Sequence, residues 1–355
     1  MTDLYQRSIE IILQNQSPTG AYPACPEFPT YKYCWFRDSS FIAYAMNLVG
    51  EHESAARFHD WTAEIINTRI DAINSAVEKA RAGAPLDSKE MLHTRYSLNG
   101  QVGKEEWPNF QLDGFGAWLW SLGEHVRISQ TGAKETWLRA ANLMTDYVSA
   151  LWLQPCYDCW EEFPDEVHPY TLAAIYAGLE SNEKLNKTSH QATLAKIRGY
   201  LLENFVRDGH FVKSIYTNDV DASLLGLVNP FKVFQLDDSR IQTTIAQIET
   251  TLRKGGGLHR YPSDTYYGGG EWILLTAWLG WYYAELGEEG KAVKLMTWVE
   301  EQADIEGQLA EQIPATLIDD SKFKPWRERW GDVATPLLWS HAKYLILYKA
   351  LESQD

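Results

Sequence analysis

Apolar positions recur along most of the chain with a period near 3.6, and convincing two-residue alternation is scarce. This pattern predicts helices over 2–15, 38–49, 52–81, 113–129, 134–153, 166–182, 186–206, 219–228, 238–254, 271–286, 289–303 and 334–352. Cap chemistry marks several starts. Asp38, Asp113 and Asp165 each precede or open an apolar run, where a carboxylate can accept from unsatisfied backbone N–H groups. Ser17-Pro-Thr-Gly and the run of three glycines from Gly255 read as loops.

The connections alternate in length. Those near 50–51, 130–133, 183–185 and 287–288 are short. Those at 16–37, 82–112, 154–165, 207–218, 255–270 and 304–333 are longer. Helices running up and down with this asymmetry carry their long loops at one end. About twelve of them, each with an apolar stripe to bury, favour closure as two concentric rings of six. The expected class is therefore all-α, an (α/α)6 barrel with its active site at the end bearing the long loops. Barrels often run long as one domain, so a single domain over 1–355 is expected.

The long set holds the polar and aromatic clusters. Tyr31-Lys-Tyr-Cys-Trp-Phe-Arg-Asp38 precedes the second helix, and Trp107-Pro-Asn-Phe-Gln-Leu-Asp-Gly114 the fourth. Trp160-Glu-Glu-Phe163 precedes the sixth, Arg260-Tyr-Pro-Ser-Asp-Thr-Tyr-Tyr267 the tenth, and Glu311 the last. Adjacent acids in a loop are ordinarily a solvated edge. Here rings flank Glu161 and Glu162, and both desolvation and a like-charged neighbour favour the protonated form that a general acid needs. Spacing does not say which of the two is the acid. Glu311 alone reads as a capping or surface residue, and gains weight from its place in the same set of loops. Arg37-Asp38 reads either as a buried pair fastening a helix start or as a fork that grips neighbouring sugar hydroxyls. Arg260 with Asp264 repeats that chemistry.

Composition narrows the alternatives. The net charge of −16, without a basic block, excludes the electrostatic footprint of nucleic acid or anionic membrane partners. No apolar run reaches the ~18 residues of a membrane span. The first residues lack the pattern of a secretory signal, so a cytoplasmic location is expected. The 15 Trp, 19 Tyr and 12 Phe suit helix packing and also the flat apolar faces of sugars. Cys156 and Cys159 have the spacing of half a zinc site, but Cys25 and Cys34 stand too far apart for a usual knuckle to complete it, and all four read as reduced, unpaired thiols. Nine scattered histidines show no metal-ligand spacing, and no phosphate-binding loop or Gly-x-Ser-x-Gly elbow is present.

Taken in order, these segments resemble the catalytic domain of glycoside hydrolase family 15, the glucoamylases, glucodextranases and isomaltose glucohydrolases. The likeness runs from about residue 17 to 347. It implies an (α/α)6 barrel without a cofactor and an inverting reaction that releases β-glucose from the non-reducing end of α-glucosides. It places the general acid on Glu161 and the general base on Glu311. It also places substrate binding on Tyr31, Trp35, Arg37, Asp38, Trp107, Glu162, Arg260, Tyr266 and Trp272. In such inverting enzymes the two carboxyl groups stand roughly 6.5–9.5 Å apart, with the attacking water between them. Small α-1,4- or α-1,6-linked gluco-oligosaccharides are the expected substrates. A trehalase of the same family, or a sugar-binding domain without catalysis, are the alternatives.

Overall fold

A computed structural model describes residues 3–353, so the helix start expected at residue 2 lies outside the described residues. Among those described are thirteen α-helices and six strands of two or three residues. The chain divides into two compact units, Gln16–Pro23 with Tyr33–Asn204, and Met1–Asn15 with Ala24–Lys32 and Phe205–Asp355. No helix among the described residues is long and apolar enough to cross a membrane.

The first of these units holds β1 (Tyr33–Trp35), α2 (Phe36–Leu48), α3 (His52–Asn67), α4 (Ile70–Arg81), β2 (Arg95–Ser97), α5 (Asp113–Ser129), α6 (Glu135–Leu151), α7 (Pro169–Asn186) and α8 (Gln191–Asn204). The single helix expected over 52–81 breaks into α3 and α4. Thr68 Oγ1 donates back to the Glu64 and Ile65 carbonyls, at 3.0 and 2.9 Å, which ends the α3 ladder locally. The start expected at Asp165 is also displaced. Helix α7 begins at Pro169, whose fixed φ and missing N–H suit a first helical position.

Helices α5 and α7 cross where neither has a side chain. A Cβ on Gly116 would sit 2.4 Å from the Ala174 carbonyl carbon, and one on Gly178 would sit 2.7 Å from the Gly116 oxygen. The contact admits only glycine on both faces. Trp118 of α5 and Trp137 of α6 are fully buried, so part of the aromatic content is core.

The second unit holds α1 (Leu4–Asn15), β3 (Val206–Arg207), β4 (His210–Phe211), α9 (Ser239–Leu252), β5 (Glu271–Trp272), α10 (Ile273–Glu285), α11 (Glu289–Glu301), β6 (Gln312–Ile313), α12 (Phe323–Trp330) and α13 (Leu338–Glu352). Its core is α10 packed on α11 and α13, with α1 against α13. Helix α10 is buried almost all round, which is why its sequence shows little amphipathic contrast. The helix expected over 219–228 is instead a 3-10 turn, Ala222–Leu227. Asp221 caps it through Ser223 N at 2.7 Å while pairing with Lys213 Nζ at 2.6 Å. The expected helix at 271–286 starts two residues late, because Glu271 and Trp272 pair with Ile313 and Gln312 as strands. Helix α12 was not expected from the sequence.

Candidate active site

In the unit containing α2, a short antiparallel pair sets the geometry. Strands β1 and β2 place Trp35 opposite Arg95. Trp35 then serves as the extended N-cap of α2, so Arg37 and Asp38 fall in the first helical turn and are buried. Arg37 Nη1 donates to Gln111 Oε1 at 2.7 Å and to Asp113 Oδ2 at 3.1 Å, and Arg37 Nε stands 3.2 Å from Asp38 Oδ1. Asp113 opens α5, where a carboxylate is favoured by the helix dipole.

Glu161 joins this cluster from a tight turn. Asp158 Oδ1 accepts from Trp160 N and Glu162 N, both at 2.9 Å, and Asp158 O accepts from Glu161 N at 3.0 Å. That winding forces Glu161 into left-handed backbone, φ 69°, and Phe163 likewise, φ 53°. The turn is tied to the 107–112 segment by Tyr157 N donating to Phe110 O at 3.0 Å. Glu161 Oε1 then accepts two hydrogen bonds, from Trp35 Nε1 at 2.6 Å and from Gln111 Nε2 at 2.9 Å. Glu162 is half-buried beside it.

One guanidinium thus faces three carboxylates. Burial pushes the Asp38 carboxyl up to about 6; Arg37 opposes this, while Glu161 and Asp113 reinforce it. Beneath the rings lies a second, unforeseen cation. Arg95, buried, holds its guanidinium 3.8 Å from the Trp107 ring centroid, 4.1 Å from Tyr33 and 5.2 Å from Trp35.

The other unit repeats the device with different chemistry. Strand β5 ends at Trp272, which is the extended N-cap of α10. Arg260 Nε donates to Asp264 Oδ2 at 2.7 Å and Nη2 to Oδ1, a two-pronged pair that is fully buried. The same guanidinium lies 5.0 Å from the Trp272 ring centroid and 5.4 Å from Tyr266. Asp264 Oδ1 also accepts from Tyr266 N at 2.9 Å, and the hydroxyls of Tyr266 and Tyr31 are hydrogen-bonded at 2.9 Å.

Glu311 sits directly before β6. Its N donates to Ala334 O at 2.9 Å and its carbonyl accepts from Ile273 N at 3.3 Å, so its backbone is fixed from both sides. Its side chain is buried, and its charge helps to raise the Tyr266 hydroxyl well above 10, after burial, which is the larger cause. The same charge adds to the burial that lifts the Cys25 thiol to about 11. Cys34 and Cys156 are likewise lifted to about 12 by burial.

The residues anticipated from the sequence therefore fall into two clusters. Trp35, Arg37, Asp38, Trp107, Glu161 and Glu162 belong to one compact unit. Tyr31, Arg260, Tyr266, Trp272 and Glu311 belong to the other. Gln111, Asp158 and Arg95 were missed. Gln111 lies four residues after Trp107 in a segment already singled out, and its amide is the bridge between Arg37 and Glu161. Asp158 and Arg95 gave no sequence signal, because their roles depend on turn and strand register.

Comparison with known proteins gives these clusters a class. A sequence model described as "Glycosyl hydrolases family 15" matches residues 1–324, and the chain belongs to that family of glycoside hydrolases. It is 39% identical to the isomaltose glucohydrolase of Kribbella flavida over 97% of this chain and 91% of that protein. A solved glycosidase variant in complex with glucose is 38% identical and superposes with a TM-score of 0.95, covering 98% of this chain and 96% of its own. A bacterial glucoamylase solved with acarbose shares the fold at 20% identity, with a TM-score of 0.75 over 99% of this chain and 56% of that one. The fold class is the all-α (α/α)6 barrel.

Proposed function

We propose that this chain is an inverting, exo-acting α-glucosidase that releases β-glucose from the non-reducing end of short α-1,6-linked gluco-oligosaccharides, isomaltose foremost. Residues 1–355 would then act as one catalytic domain. Glu161 is the general acid. The observation that carries this is the double acceptance at Glu161 Oε1. With two N–H donors aimed at one oxygen, a proton on the carboxyl has its place on Oε2, which leaves that oxygen to donate to the glycosidic oxygen.

Glu311 is the general base, taking a proton from the water that attacks the anomeric carbon on the face opposite the departing sugar. Arg37, Asp38 and Arg260 hold the hydroxyls of the terminal glucose; Tyr31, Trp35, Trp107, Glu162, Tyr266 and Trp272 complete its contacts. The C–O bond breaks as Oε2 protonates the leaving oxygen, and the water hydroxyl arrives as the β-anomeric hydroxyl. The α-1,6 preference is supported by the kinship with isomaltose glucohydrolase along nearly the whole length of both proteins.

Proton NMR on isomaltose, maltose and trehalose tests the reading. Isomaltose should be cleaved fastest, and β-glucose should appear before mutarotation mixes the anomers. Initial release of α-glucose overturns the inverting assignment, and faster cleavage of trehalose or maltose overturns the linkage.

A further inference from the structure

Between Glu311 and α13 the chain does not return directly; it makes an excursion through α12. Among its residues none is buried, yet three aromatic side chains, Phe323, Trp326 and Trp330, recur at helical spacing on it. The excursion is pinned to the loop that carries Tyr266. Ile318 N donates to Gly269 O at 3.3 Å, Asp319 N to Gly268 O at 3.0 Å, and Tyr267 Oη to Gly331 O at 3.0 Å. Trp326 meets Tyr266 edge-on at 4.9 Å and stacks on Tyr267 at 6.2 Å. The Arg329 guanidinium lies 6.0 Å from the Trp326 ring and 5.0 Å from the Trp330 ring.

These residues form a sequence in depth. Arg260 and Asp264 are fully buried, Tyr266 next to them is half-buried, and Trp326 beyond Tyr266 is half-buried on a helix without a buried residue. An enzyme that removes a terminal sugar holds that sugar on its deepest polar groups. The sugar that departs must lie on the exposed side of them. Past the buried rings of Trp272 and Tyr261, which also flank Arg260, the first half-buried ring is Tyr266 and the next is Trp326. An indole with a free portion of its surface suits the apolar C–H face of a pyranose.

Resting on the function proposed above, we propose that Trp326 is a specificity residue for the leaving sugar: it contacts the glucose that departs, not the glucose that is transferred to water. The rival role is that of a prop, in which Trp326 merely holds Tyr266 in place.

The two roles separate on a pair of substrates. Isomaltose and α-glucosyl fluoride present the same terminal glucose, but only isomaltose has a departing sugar. In Trp326→Ala, kcat/KM for isomaltose should fall about tenfold while that for α-glucosyl fluoride stays within about twofold of wild type. Trp326→Phe, which keeps a ring and fills most of the site, should recover most of the loss on isomaltose. Equal losses on both substrates, in either variant, overturn the assignment in favour of a prop. No loss on isomaltose overturns it as well. A wild-type chain that cleaves neither compound overturns the proposed function and this assignment with it.

Discussion

Trp35 Nε1 donates to Glu161 Oε1 at 2.6 Å, joining the last residue of a three-residue strand to a turn 126 positions later. Gln111 Nε2 donates to the same oxygen at 2.9 Å, and its own Oε1 is held by Arg37. Together they occupy Oε1 and leave Oε2 as the oxygen that would carry the proton in the proposed acid. Removing either donor, by Trp35→Phe or Gln111→Leu, releases that choice. Hydrogen bonds to ionisable groups are worth about 1.5–3 kcal/mol, so kcat on isomaltose should fall between about 10- and 100-fold. KM should change less, because Gln111 is not among the proposed contacts to the terminal glucose and Trp35→Phe keeps an aromatic ring at its contact. Steady-state kinetics on isomaltose and α-glucosyl fluoride check this. Fluoride leaves without protonation, so the defect should largely vanish on the fluoride, and a defect of equal size on both would refute the positioning role.

The proposed acid and base should each be indispensable. Glu161→Gln and Glu311→Gln are both expected to lose at least ~10²-fold in kcat on isomaltose, a usual contribution from general acid–base catalysis. Their pattern on α-glucosyl fluoride should differ, with Glu161→Gln spared and Glu311→Gln still impaired. The double variant should lose far less than the product of the two single losses, since groups acting in one reaction are not additive. Multiplicative losses would mean that the two residues act independently of one another.

Much of this was legible in the chain before the fold, and the rest was hidden for identifiable reasons. Helices with a clear polar face, such as α3 and α6, announce themselves through period 3.6. Residues whose role is local, such as Asp38 and Asp113 in first helical turns, are equally readable. Arg95 is not, because its value comes from standing opposite Trp35 in a strand pair three residues long. Helix α12 escaped because it is short, contains Pro325 and buries no stripe of its own. Lys343 shows the same limit in the core. Nothing in the pattern of α13 says that its amine is buried 3.3 Å from the Trp278 ring centroid.

The raised carboxyl of Asp38 predicts a pH dependence with a definite sign. Its value moves from 3.8 in the unfolded chain to about 6 in the folded one, so the folded state binds the extra proton between those limits. Burying the ionised form therefore costs stability, and that cost grows as pH rises from about 4 to 6 and is complete above it. Asp38→Asn removes the titration. Its stability relative to wild type should improve by up to about 3 kcal/mol between pH 4 and pH 7, read from urea midpoints at each pH. In binding, the ionised carboxylate is the better acceptor for sugar hydroxyls. Inhibition by glucose should weaken in wild type as pH falls through about 6, and should be flat over that range in Asp38→Asn. A flat wild-type profile would show that Asp38 ionises like an ordinary surface carboxyl.

The crossing of α5 and α7 allows a prediction that is independent of chemistry. Gly116 and Gly178 face one another's helix so closely that a methyl on Gly116 would lie 2.4 Å from the Ala174 carbonyl carbon, against main chain that cannot rotate away. Relief requires the two helices to separate. Overpacking of this kind typically costs about 1–3 kcal/mol, and the fixed backbone on the far side puts Gly116→Ala at the upper end or beyond. Helix α5 begins at Asp113, a partner of Arg37, so separation would also shift the Glu161 cluster through Gln111. Gly116→Ala should therefore lower Tm and kcat together. Gly132→Ala, where an added Cβ meets nothing within 4 Å, serves as the control and should leave both unchanged. Differential scanning calorimetry with isomaltose kinetics on the two variants decides it, and an unaltered Tm for Gly116→Ala would mean that the helices have slack the close contact does not suggest.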